Sequence, residues 1–90
     1  MAAAADCDWS FIDRPEVMEA ISRLAQRSAY RRPGLQLEDV EQELHLWLAV
    51  RPELQAKPVR IIEMALYRRS RGLEAVEAKR DSLPLEEEIA

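Results

Sequence analysis

Residues 37–50 read LEDVEQELHLWLAV, and the fold class turns on this stretch. Its apolar positions recur every three or four residues, the period of a helix and not the alternation of a strand. At about 100° per residue, Leu37, Val40, Leu44, Trp47 and Leu48 share one arc, which is the face expected to be buried. A second stripe stands roughly 120° away and contains Asp39, Gln42, Glu43, Leu46 and Val50. Two aliphatic residues framed by acids and an amide have the character of an interface. Packing of Leu46 and Val50 against a neighbouring helix is the alternative. Pro52 disfavours helical geometry at Arg51, so this helix is expected to end at Val50.

Working towards the N-terminus, Asp13 and Glu16 have the spacing of a capping box, and Pro15 suits a first helical turn. Ile12 and Val17 are placed to form a hydrophobic staple. Val17, Ile21, Leu24 and Ser28 then continue at helical spacing, flanked by Met18 and Ala25, with Arg23 and Arg27 off the stripe. Pro33 and Gly34 end the segment. Towards the C-terminus, Pro58 is expected to open a third helix at its first position. Ile61, Ile62, Ala65, Leu66 and Leu73 are expected to face inward. Arg60, Met64, Tyr67 and Arg71 form the outward stripe, with Arg68 beside it and Arg69 near the boundary. Gly72 either ends this helix or only weakens it, because residues 73–80 are good helix formers. Asp81 to Pro84 breaks the run, and the last residues, with Glu86, Glu87 and Glu88, are expected to fray. The expected architecture is all-α: an N-terminal segment over 1–12, a compact three-helix domain over 13–80 and an acidic tail over 81–90.

Composition agrees with helix. The chain has 90 residues, 48% hydrophobic and 33% charged, with two glycines, which suits one globular domain and leaves little for the tight turns of a sheet. Cys7 stands alone, so neither an internal disulfide nor a cysteine-based zinc site is expected. No apolar run approaches the roughly 20 residues of a membrane span. The opening residues lack the basic start of a secretory leader, so the expected location is the cytoplasm. Charge comes in blocks: Arg23, Arg27, Arg31 and Arg32 occupy 21–34 without an acid, while 57–72 sets Lys57, Arg60, Arg68, Arg69 and Arg71 against Glu63. Such blocks serve either as solvated faces or as surfaces for partners of opposite sign.

Catalytic chemistry has little to stand on. His45 is the single histidine and lies between the two stripes of its helix, with no second ligand for a metal. No serine has a histidine placed by sequence to activate it, and no glycine-rich phosphate loop is present. The expectation is a non-enzyme without cofactor or metal.

Residues 38–48, EDVEQELHLWL, resemble the signature helix in the second conserved region of bacterial sigma factors, especially the extracytoplasmic-function type. The matching positions are Asp39, Val40, Gln42, Glu43 and Leu46, while His45 departs from the aromatic position of that pattern. A preceding helix that ends in basic residues and a following amphipathic helix that ends in YRRSR (67–71) extend the resemblance over about residues 14–80. It implies that Asp39, Gln42, Glu43 and Leu46, with Val50 on the same stripe, dock on the clamp helices of the β′ subunit of bacterial RNA polymerase. It also implies that Arg60, Tyr67, Arg68, Arg69 and Arg71 lie towards promoter DNA. Arginines neutralise phosphates and release counterions, and a tyrosine stacks on an unpaired base. The alternative for this cluster is a helix C-terminus whose arginines complement the dipole.

Three departures keep other readings open. The chain has no room for the helix-turn-helix domain that reads the upstream promoter element, which implies either a second polypeptide that supplies it or a different role. Tyr67 is the one aromatic of the third helix, and the C-terminus is acidic. A phage-type sigma mimic that inhibits host polymerase without touching DNA is therefore the alternative within transcription. A helical adaptor or oligomerisation module that pairs through Leu46 and Val50 is the alternative outside it.

Overall fold

The computed structural model describes residues 7–81, and all regular structure among them is helical. A 3-10 turn, Ser10–Asp13, leads into α1, Pro15–Arg31; α2, Leu37–Ala49, and the one-turn α3, Pro52–Gln55, follow; α4, Val59–Asp81, closes the order. The expected three helices are thus present, with a one-turn helix between the second and third. Helix α1 is central and packs on both α2 and α4, which touch each other less.

Its sequence explains this position. Val17, Ala20, Ile21, Leu24, Ala25 and Ser28 follow one another at steps of three and one, and all are buried. Ala20, Ala25 and Ser28 are small enough to let the neighbouring helices approach closely. From α2 come Val40, Leu44, Leu48 and Ala49, and from α4 come Ile62 and Leu66. Full burial of each of the larger aliphatics stabilises by about 1.5–3 kcal/mol. Leu37 and Trp47 complete the expected inner arc of α2 at partial burial. Ile61, expected inside, is 40% exposed. Ile61 and Ile62 point about 100° apart, and the register fixed by Ile62, Leu66 and Leu73 turns Ile61 outward.

The start of α1 also differs from expectation. Arg14, not Asp13, is the N-cap, and no side chain caps the helix. Asp13 is absorbed in the 3-10 turn, so the capping box with Glu16 does not form. Ile12 is exposed, and Phe11 enters the core at 1% exposure in place of the expected staple. The segment before α1 is held by the chain between α2 and α4. Asp8 N–H donates to the Ala49 carbonyl at 2.7 Å. The Gln55 amide donates to the carbonyls of Asp8, at 2.7 Å, and Leu48, at 3.0 Å. Arg14 donates to the Gln55 carbonyl at 3.0 Å. Gln55 is buried, and through these two bonds its side-chain amide joins the segment before α1 to the end of α2. The Asp8 carboxylate accepts the Ser10 N–H at 3.0 Å, and this bond, with that of the Ser10 hydroxyl, holds its pKa below the ordinary value.

Pro58 is one residue earlier than expected relative to the helix: α4 begins at Val59, and the Pro58 carbonyl accepts the Ile61 and Ile62 N–H groups. Gly72 does not end α4, which runs on to Asp81. The second half of the helix is held by polar contacts. Glu74 is buried, accepts the Ser28 hydroxyl at 2.7 Å and pairs with Arg71 at 3.0 Å and Arg31 at 3.7 Å. Glu77 is buried against Gly34 in the α1–α2 turn, where a β-carbon would collide with its carboxyl group. Gly34 has no positive φ, so the reason for glycine there is close approach and not backbone geometry. The acidic tail expected over 81–90 lies, from residue 82 onward, outside the described residues.

Candidate partner and nucleic-acid surfaces

Two surfaces emerge, one on α2 and one between α1 and α4. The first is the outer stripe of α2. Asp39, Gln42 and Glu43 are exposed, as are Leu46 at 52% and Val50 at 44%. Neither aliphatic is consumed by packing within the bundle, so the internal alternative for Leu46 and Val50 does not hold. Val50 is the C-cap of α2 and sits where the helix ends. His45, beside this stripe, is half-buried and packs its ring at 5.9 Å from Phe11, which itself lies 5.9 Å from the exposed Trp9. His45 is thus a packing residue that joins α2 to the N-terminal turn. The bond from Asp8 to Ala49 brings the same turn to the end of α2. Trp9 and Ile12, the latter expected in a staple with Val17, are both exposed, and Trp9 carries no periodic signal in the sequence.

The second surface is an open groove of about 460 Å³ between α1 and α4, lined by Arg23, Leu24, Arg27, Arg60, Glu63, Met64, Tyr67 and Arg68. Three of the five basic-face residues read from sequence, Arg60, Tyr67 and Arg68, are brought together here. Arg69 and Arg71 are not in the groove: Arg69 is 3.6 Å from Glu43 of α2, and Arg71 pairs with Glu74. Both therefore support the bundle, and the Arg69–Glu43 pair ties α4 to the α2 stripe. In their place α1 supplies Arg23 and Arg27, which in sequence are legible as residues off the buried stripe and as members of the basic block over 21–34. Arg27 lies over the Tyr67 ring at 5.8 Å, and Arg23 bridges to Glu63 at 2.7 Å.

Dipole complementation does not account for these arginines. Because α4 runs from Val59 to Asp81, Arg68 stands in its interior and Arg60 in its first turn, and neither lies in the last turn, where the dipole favours a cation. Nor do acids answer them: among the described residues, Arg27, Arg60 and Arg68 have no ion pair. A concave surface with uncompensated arginines beside an aromatic ring suits a phosphate chain bearing bases. The acids that follow on α4 do not oppose this, since Glu74 and Glu77 are buried and turned towards Ser28, Arg31, Arg71 and Arg80.

No helix among the described residues is long and apolar enough to cross a membrane. Comparisons with protein-family models, characterised proteins and solved structures give no significant match.

Proposed function

We propose that this protein is a transcription regulator that binds bacterial RNA polymerase through α2, in the manner of the second region of a sigma factor. The observation that carries the reading is the α2 stripe: the sigma-like positions Asp39, Gln42, Glu43 and Leu46, with Val50, stand together on the solvent side of a helix whose opposite face fills the core. A partner that covers this stripe removes two aliphatic side chains from water and meets an acid–amide rim. The β′ clamp helices are the proposed occupant. Promoter DNA is the proposed ligand of the α1–α4 groove, through Arg60, Tyr67 and Arg68, with a second polypeptide supplying any upstream promoter recognition. The protein acts by binding and not by catalysis, without a cofactor, in the bacterial cytoplasm where polymerase is found.

The phage-type inhibitor is the second reading. It uses the α2 stripe and dispenses with the groove, so Arg60→Ala with Arg68→Ala separates the two: a promoter-engaging factor loses its effect on transcription, and a clamp blocker keeps it. A photo-crosslinking residue at position 46 tests the α2 assignment itself. Adducts to β′ are expected with core polymerase. Adducts to a second copy of this chain in their place would make it the oligomerisation module.

A further inference from the structure

We infer that Glu63 is a built-in competitor for the phosphate chain of a DNA single strand in the α1–α4 groove, and that it acts by holding Arg23. The inference rests on the nucleic-acid part of the proposed function and is independent of polymerase binding.

Glu63 is the one acid among the residues that line the groove. Its Oε2 lies 2.7 Å from Arg23 Nη2, across from one helix to the other. Arg27, Arg60 and Arg68 line the same groove without an ion pair among the described residues. The carboxylate is thus placed where a phosphate oxygen would pair with Arg23: both are anionic acceptors that satisfy a guanidinium edge at this distance. Neither partner is deeply buried, with side chains 57% and 36% exposed. An exposed pair of this kind contributes little stability, so an incoming phosphate displaces Glu63 at small cost and the exchange is reversible. Bases enter from the same side, where Met64 and Tyr67 offer an apolar and an aromatic surface, both exposed, and Arg27 over the Tyr67 ring is placed to take the neighbouring phosphate.

Removing the Glu63 charge while keeping its shape frees Arg23 for the ligand. The attraction between unit charges at contact in water corresponds to about a fivefold change in affinity. One further phosphate contact also steepens the dependence of log affinity on log salt by about 0.7 for a single strand.

The test is fluorescence anisotropy of a labelled oligothymidylate of about 15 nucleotides, titrated with the full chain over a range of salt. The proteins are the native chain, Glu63→Gln, Arg23→Ala and the double variant, each matched by thermal melting. Glu63→Gln is expected to bind about fivefold more tightly with the steeper salt slope. In the Arg23→Ala background the same substitution is expected to gain nothing, because the residue that Glu63 holds is gone. An equal gain in both backgrounds would show that Glu63 acts as diffuse negative charge, and the inference is then wrong. Absence of binding by both the native chain and Glu63→Gln at about 50 mM salt overturns it as well. The crosslink from position 46 to β′ is untouched by either failure.

Discussion

Replacing Gly72 with alanine should stabilise this protein, and the gain can be worked from its place in α4. Gly72 is exposed within a helix that continues to Asp81. In an exposed helix interior, alanine is better than glycine by about 0.8–1.0 kcal/mol, chiefly because the unfolded chain has less freedom to lose. A β-carbon built at Gly72 meets nothing within 4 Å, so no steric term offsets the gain. For a domain of this size about 1 kcal/mol raises the melting temperature by roughly 4–8 °C. Far-UV circular dichroism during heating, with urea unfolding beside it, measures the effect: the urea midpoint should rise with unchanged slope. Gly34→Ala provides the contrast, since its β-carbon collides with the buried Glu77 carboxyl group, and it should lower the melting temperature. A neutral or destabilising Gly72→Ala would mean that α4 breaks near Gly72. Arg68 and Arg71 would then return to a helix end, where dipole complementation explains them without a ligand.

Two further substitutions test how the bundle is held. Ser28→Ala removes the hydroxyl that Glu74 accepts at 2.7 Å; loss of a hydrogen bond to a charged group costs about 1.5–3 kcal/mol, and hydrogen exchange should rise over residues 73–81 before the rest of α4. Exchange that rises uniformly would contradict a local role for this contact. Phe11→Ala should cost about 3–5 kcal/mol, read from urea unfolding, because Phe11 is 1% exposed within the core. A loss below about 1 kcal/mol would show that the N-terminal turn is not part of the folded unit.

Much of the fold is legible in sequence because periodicity reports burial directly. The inner residues of α1 and the core arc of α2 follow from spacing alone, and so does the outward stripe of Arg60, Met64, Tyr67 and Arg71, with Arg68 beside it. What escapes is non-periodic. Phe11 belongs to a single 3-10 turn, and Gln55 reads as a polar loop residue until its amide is seen bridging the Asp8 and Leu48 carbonyls. Glu74 and Glu77 look like exposed acids, since nothing local shows that Ser28 and the space over Gly34 await them. Capping chemistry misled at Asp13 because Pro15 fixes the helix start one residue after Arg14, leaving Asp13 outside. The groove was half legible: Arg60, Tyr67 and Arg68 share a helix face, but only the packing of α1 on α4 adds Arg23 and Arg27. Arg69 instead turns to Glu43 of α2, and Arg71 to Glu74 one turn further along α4.

The central claim is that the α2 stripe binds bacterial RNA polymerase, and co-elution with purified core enzyme on a sizing column tests it most directly. The native chain runs beside a Gln42→Ala/Leu46→Asp variant, whose positions are both exposed, so the fold should survive, as equal melting temperatures would confirm. Co-elution of the native chain at micromolar concentration, lost in the variant, is the predicted result. A native chain that stays free of polymerase, or a variant that binds equally well, would contradict it.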